Sequence, residues 1–83
     1  MMLKIEFSKE FIKNYKKIKD TKFKEKIRKQ IKKIASNPEV GKPMRYERKS
    51  TREIYLESYR ISYIFFKEKI IILILDIYHK DKQ

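Results

Sequence analysis

Residues 59 to 79 constrain this chain most. Tyr59-Arg60-Ile61-Ser62-Tyr63-Ile64-Phe65-Phe66 is followed by Lys67-Glu68-Lys69, and then by Ile70-Ile71-Ile72-Leu73-Ile74-Leu75-Asp76-Ile77-Tyr78-His79. β-Branched and aromatic residues fill both runs, and neither holds Gly or Pro. The stretch reads as two long strands joined by a tight turn. Strands this apolar invite aggregation at a sheet edge. They are expected in the middle of a sheet, with a helical layer over at least one face.

A membrane span is the competing reading and it fails. The apolar run from Ile70 lasts six residues before Asp76, whereas a span needs roughly 20. Joining the two runs would bury Lys67, Glu68 and Lys69 in lipid, at a few kcal/mol each. The chain of 83 residues is read as a single domain, residues 1–83, with one modest core. It has no cysteine, so disulfides and zinc–thiolate sites are unavailable. Met1 to Phe7 already contains Lys4 and Glu6 and does not read as a signal peptide. The expected compartment is the cytoplasm.

Net charge is +12. Residues 1–35 carry 13 Lys and Arg against 4 Asp and Glu, and residues 36–83 carry 10 against 7. The excess therefore sits mainly in the N-terminal half. A composition rich in Lys, Ile and Glu is also found in heat-adapted proteins. That bias enriches both charge signs, so it explains a charged surface better than a large net charge. A polyanionic partner is the stronger reading.

Leu3 to Phe7 alternates apolar and polar, as a short half-buried strand does. Ser8 is placed to cap a helix, with Glu10 in its first turn. Phe11, Tyr15 and Ile18 fall on one face of it. After Lys19-Asp20-Thr21, where Asp20 or Thr21 can cap, a second helix runs to about Ala35. Phe23, Ile27, Ile31 and Ile34 form its apolar stripe. Lys22, Lys26, Lys29 and Lys33 form a basic stripe at the same spacing. Two amphipathic helices so closely joined make an antiparallel hairpin. Ser36 to Pro43 reads as a loop, stopped by Pro38 and holding the only glycine, Gly41. Met44 to Glu47 and Arg52 to Glu57 are further strand candidates. The expected fold is α+β in the order β-α-α-β-β-β: an N-terminal strand and an antiparallel helical hairpin packed on a mainly antiparallel twisted sheet.

The chemistry available is narrow. One histidine, His79, with scattered carboxylates makes a poor metal-ligand set, and no metal or other cofactor is expected. No Gly-rich phosphate loop and no nucleophile elbow is present. A polar set remains around the end of the last strand and its neighbours. Arg60 alternates with Ile61, Tyr63 and Phe65, so it lies on the other face with Ser62. Tyr78, His79 and Lys80 close the last strand. Arg45, Arg48, Lys49 and Arg52 lie on the middle strands and their turn. Arginine suits bidentate phosphate contacts. A salt bridge, for instance of Arg60 with Asp76, is the bland alternative. Such residues can cleave RNA without a metal if a 2′-hydroxyl attacks the neighbouring phosphate. His79 or a lysine of depressed pKa would exchange protons. Arg60 and a second cation would hold the phosphorane. Tyr46, Tyr55 or Tyr78 would stack on an unpaired base, although sheet packing explains each tyrosine singly.

With those residues in view, the chain resembles the RelE/ParE superfamily of toxins from toxin–antitoxin modules. Phe7-Ser8-Lys9-Glu10-Phe11 with a Lys-rich helical hairpin is similar to the family's N-terminus. Asn37-Pro38 and Gly41-Lys42-Pro43-Met44-Arg45 resemble its loop after the second helix. Tyr59-Arg60-Ile61-Ser62-Tyr63 is similar to its YRhxY strand, and Ile77-Tyr78-His79-Lys80-Asp81 to its terminal HR-D element. The order and spacing of these segments carry the likeness more than any one of them.

The resemblance implies a compact toxin of RelE-like action: ribosome-dependent cleavage of mRNA in the A site, without a metal. It also implies contact with ribosomal RNA through basic helices and silencing by an acidic, RelB-like antitoxin. Arg60 matches the strand arginine at the scissile phosphate. Lys80 matches the basic residue after the histidine, and His79 the histidine itself. The family strand before YR often reads R-h-R-h-G-D. Here Glu53 and Tyr55 occupy the basic positions, with Arg52 one place off, and the family's C-terminal tyrosine is missing.

Arg60, His79, Lys80 and Arg52 are therefore the expected catalytic residues. Arg45, Arg48, Lys49, Tyr55, Tyr78, Lys22, Lys26, Lys29 and Lys33 are the expected RNA-binding residues. The expected partners are an acidic antitoxin, the ribosome and mRNA, with no membrane. ParE-like inhibition of DNA gyrase without catalysis and a basic module that only binds RNA or DNA stay open as alternatives.

Overall fold

The computed structural model describes residues 3–44 and 50–82. Strand β1 (Lys4–Phe7) leads into helices α1 (Lys9–Lys17) and α2 (Thr21–Ser36). Strands β2 (Lys42–Pro43), β3 (Thr51–Leu56), β4 (Tyr59–Phe66) and β5 (Ile71–His79) follow, and a 3-10 turn covers Lys80–Lys82. The sheet order is β1-β5-β4-β3-β2. β1 runs parallel to β5, and the other three pairings are antiparallel. The two apolar strands thus lie inside the sheet, with partners on both sides. Among the described residues no helix is long and apolar enough to cross a membrane.

Each helix starts where its cap residue dictates. The Ser8 hydroxyl accepts from the Phe11 N–H at 3.1 Å. Asp20, not Thr21, caps α2, accepting from the N–H groups of Lys22 and Phe23 at 3.0 and 3.2 Å. These caps satisfy backbone donors that the first helical turn leaves free. Ile27 and Ile34 of α2 and Phe11 of α1 are buried against Ile61, Tyr63, Ile72, Ile74 and Ile77 of the sheet. Both helices lie on one face, and neither covers the other.

Tyr63 and Arg52 fasten the loop after α2. The Tyr63 hydroxyl donates to the Pro38 carbonyl at 2.9 Å and accepts from the Gly41 N–H at 2.8 Å. Arg52 Nη1 donates to the carbonyls of Glu39 and Gly41 at 3.0 and 2.7 Å. A Cβ on Gly41 would lie 2.6 Å from the Tyr63 hydroxyl oxygen, so the close approach itself requires glycine. Burial pushes the Tyr63 hydroxyl pKa upward.

Two sequence boundaries move. A short strand lies at Lys42–Pro43, within the segment read as a loop and just before the strand expected at Met44 to Glu47. It pairs with Arg52 and Glu53 of β3, and Met44 N–H still bonds the Thr51 carbonyl at 2.8 Å. Pro43 is tolerable there because β2 is an edge strand and needs no donor on its outer side. Residues 45–47 lie outside the described residues. β5 starts at Ile71 because Ile70 closes the β4–β5 turn with φ 55°. That left-handed conformation is unfavourable for a β-branched residue.

A bulge decides which side chains share a face. Phe66 pairs with Ile71 and Tyr63 with Ile74, but Ser62 pairs with Asp76. Leu75 is therefore an extra residue in β5. The burial rhythm records it: Ile72, Ile74 and then Ile77 are buried. The Ser8 hydroxyl donates to the Leu75 carbonyl, and the Ser8 N–H donates to the Ile74 carbonyl at 2.9 Å. The start of α1 thus pins the bulge in place. Beyond a bulge the alternation of faces is reset, and the candidate site depends on that reset.

Candidate functional site

Past the bulge, Arg60 stands opposite Tyr78 on β5 and opposite Tyr55 on β3. The three side chains form a row across the middle of the uncovered face. The Arg60 guanidinium lies over the Tyr55 ring, 4.8 Å from its centroid, a favourable cation–π placement. Glu53, two residues before Tyr55 on the same face, ties the row together. Its Oε1 is 3.7 Å from Arg60 Nη1 and accepts from the Tyr55 hydroxyl at 3.3 Å. Its Oε2 accepts from the Tyr78 hydroxyl at 3.1 Å. Glu53 is buried, Arg60 and Tyr78 are half-buried, and Tyr55 is 52% exposed. The arginine and one aromatic ring are thus reachable from solvent.

His79 is not in this row. It pairs with Tyr59, and the two rings meet edge-on with centroids 5.3 Å apart. Tyr59 packs in turn on Phe23 of α2, at 5.0 Å. These rings face the helices and line a cleft of about 840 Å³ beside Lys17 and Lys19. Without the extra Leu75, the register of the outer part of the hairpin would set Arg60 opposite Ile77, and His79 would share Arg60's face. The bulge brings Tyr78 to the arginine instead. Asp81 N–H donates to His79 Nδ1 at 3.2 Å, which in the neutral ring leaves the proton on Nε2.

Arg52 also falls on the helix-covered face, opposite Tyr63, where it holds the loop carbonyls. Of the four residues expected to act together, His79 and Arg52 thus lie on the face opposite Arg60. Lys80 follows Tyr78 by two residues, is exposed, and begins the 3-10 turn; its N–H donates to the Ser58 carbonyl at 2.8 Å. The suggested Arg60–Asp76 ion pair is replaced by Arg60–Glu53. Asp76 accepts from Asn14 Nδ2 at 2.7 Å and from the Ile77 N–H at 2.8 Å.

Arg45, Arg48 and Lys49 lie outside the described residues. Lys22, Lys29 and Lys33 are exposed on α2. Lys26 bonds Glu57 at 2.7 Å, and that carboxylate raises the lysine's pKa. Among the described residues no three potential ligands gather closely enough to hold a metal ion. Glu53 is the residue that sequence reasoning passed over, having read it only as a missing cation. Its spacing of two from Tyr55 and its register with Ser62, two residues from Arg60, were the available signals.

The comparisons with known proteins agree with this fold. The toxin of the E. coli RelBE toxin–antitoxin complex is similar, with a TM-score of 0.79 at 19% identity, covering 94% of this chain and 96% of that one. The RelBE2 complex of Mycobacterium tuberculosis gives 0.80 at 21% identity, covering 95% and 99%. The YoeB/ParE toxin of Agrobacterium tumefaciens gives 0.82 at 14% identity, covering 93% and 98%. At these identities the likeness establishes the fold. A comparison with curated proteins gave no match. The family model for the ParE toxin of the parDE type II toxin–antitoxin system matches residues 5–83. The chain therefore belongs to the ParE toxin family, within the RelE/ParE superfamily of type II toxin–antitoxin toxins.

Proposed function

We propose that this toxin is a ribosome-dependent endonuclease that cleaves mRNA through attack of a 2′-hydroxyl, and that its RNA site is the Tyr55–Arg60–Tyr78 row. The row itself carries the reading. A permanently charged fork sits between two aromatic side chains on a face that neither helix covers. Arg60 suits a bidentate grip on one phosphate. An exposed ring such as Tyr55 suits stacking on an unpaired base, worth about 1–3 kcal/mol per base. Lys22, Lys29 and Lys33, with the net charge of +12, supply sequence-independent attraction to the RNA of a ribosome. That component should weaken steeply with salt.

The same charge favours an acidic, RelB-like antitoxin as the silencing partner. The similar toxins of E. coli and M. tuberculosis were solved in toxin–antitoxin complexes. The open face adds a seat for such a partner. Ile64 and Leu73 are directly paired beside the polar row, and Phe66 is 40% exposed next to them. An apolar helix face can rest on such a strip while acidic residues meet the lysines.

A second reading is ParE-like inhibition of DNA gyrase without catalysis. The matching family description favours it, and so does the presence of a single described arginine in the row. Purified protein added to a translation extract separates the two. New mRNA ends at the A site that vanish with Arg60→Ala support the endonuclease. Undisturbed translation together with blocked supercoiling by gyrase supports the second reading.

A further inference from the structure

Glu53 is out of place in a site that only binds RNA. A carboxylate beside the arginine repels the phosphate that the arginine would hold. Burying that carboxylate adds a desolvation cost. The carboxylates in the chain's other ion pairs, those of Glu6, Glu39, Glu57 and Asp81, have side chains 47 to 75% exposed, whereas Glu53's is 10% exposed. Among the described residues it is the one buried acid. It is also oriented: the Tyr55 and Tyr78 hydroxyls donate to different oxygens of it. These bonds hold the carboxylate at the arginine instead of leaving it to turn toward solvent.

Among the described residues, the other side chains gathered at Arg60 cannot accept a proton near neutral pH. Arginine is permanently protonated, tyrosine and serine hydroxyls are protonated, and His79 faces the helices. A 2′-hydroxyl beside a phosphate needs an acceptor within one nucleotide of whatever grips that phosphate. Among the described residues, Glu53 is the group that meets this requirement.

We infer that Glu53 is the general base of this toxin, taking the proton of the ribonucleotide 2′-hydroxyl next to the phosphate held by Arg60. The inference rests on the endonuclease reading above. The carboxylate removes the 2′-hydroxyl proton, and the 2′-oxygen forms a bond to the adjacent phosphorus. The bond from phosphorus to the 5′-oxygen breaks with its electron pair. That oxygen takes a proton from water, and Glu53 returns its proton to solvent. The products are a 2′,3′-cyclic phosphate and a 5′-hydroxyl, and the substrate class is single-stranded RNA. Tyr55 and Tyr78 act as positioning residues for the carboxylate.

The test is single-turnover cleavage of mRNA on purified ribosomes, followed against pH, with binding and thermal midpoint measured alongside. Glu53→Gln should cut about 100-fold or more slowly, while binding ribosomes at least as tightly and staying folded. Its residual rate should lose the fall on the acid side that the wild type shows. An mRNA with a 2′-deoxy residue at the cut site should resist the wild type. Tyr78→Phe leaves the carboxylate in place but removes a hydrogen bond that favours its charged form. It should move the acid limb to higher pH, and it carries the test if Glu53→Gln fails to fold. Glu53→Gln cleaving at the wild-type rate, with Arg60→Ala inactive, overturns this inference and leaves the endonuclease reading standing. An unmoved acid limb in Tyr78→Phe does the same. A wild type that cuts no mRNA overturns both.

Discussion

Arg52 and Arg60 are half-buried arginines on paired strands of one sheet, and they face opposite ways. On the covered face, Arg52 joins Tyr63 in holding the loop after α2, and its Nη1 is engaged by two carbonyls of the protein itself. On the open face, Arg60 lies across a tyrosine ring with one loose contact to Glu53. Both have the residue type that grips phosphate. Only Arg60 has its guanidinium among groups that a nucleotide can also use. The difference teaches that a basic residue's meaning is set by the face it lands on, and that face is set by strand register.

The comparison can be broken by measuring stability and toxicity separately on the two faces. The largest stability effect belongs to the covered face. Ile74→Ala, deep under α1 and fully buried, should cost about 2–5 kcal/mol in a denaturant titration. A loss below about 1 kcal/mol would mean the helices do not pack there as described.

Next in size is Tyr63→Phe, which leaves the Pro38 carbonyl and the Gly41 N–H without their partner. It should cost about 1–3 kcal/mol. It also has a pH signature. The folded-state pKa is raised above the ordinary 10.0, so folding favours the protonated hydroxyl. That contribution is fully present below pH 10.0 and is lost as pH rises through the raised value. Tyr63→Phe should therefore lose less stability than the wild type when the two are titrated into alkali. Parallel alkaline profiles would contradict the burial of this hydroxyl.

Ser8→Ala tests the link from helix cap to site. The hydroxyl caps α1 and also holds the Leu75 carbonyl at the bulge. A loss of about 0.5–2 kcal/mol is expected from the cap. Amide exchange should also quicken around Leu75 and Asp76. Protection unchanged at the bulge would separate the two roles. The smallest stability effect belongs to Tyr55→Ala on the open face, about 0.5–1 kcal/mol from its cation–π contact with Arg60 and its bond to Glu53. The same variant should weaken RNA binding by about 1–3 kcal/mol if its ring stacks on a base. Unchanged RNA affinity would remove Tyr55 from the proposed site.

Much of the architecture could be read from the chain itself. The hairpin of β4 and β5 follows from two β-branched runs around Lys67 to Lys69. The helices follow from stripes such as Phe23, Ile27, Ile31 and Ile34, and their starts from Ser8 and Asp20. Arg60's separation from Ile61 and Tyr63 was legible as simple alternation. The site was less legible because simple alternation does not survive the extra residue at Leu75. One inserted residue exchanges Tyr78 for His79 at the arginine, and it is held by a bond from Ser8, 67 positions away. Glu53 was hidden for another reason. Whether a carboxylate is a lost cation or an acceptor depends on which hydroxyls reach it, and those come from two strands. The strand at Lys42–Pro43 is an edge effect, where pairing with β3 overrides the loop character of a Gly-Lys-Pro sequence.

On the proposed function, the open face and not the histidine cleft carries the toxin's chemistry. Mapping mRNA ends on ribosomes by primer extension tests it directly, with wild type, Arg60→Ala and His79→Gln compared at matched thermal stability. A-site cuts are expected from the wild type and from His79→Gln, and none from Arg60→Ala. Cuts that persist in Arg60→Ala and disappear in His79→Gln would contradict it and move the chemistry to the cleft beside Tyr59 and Phe23.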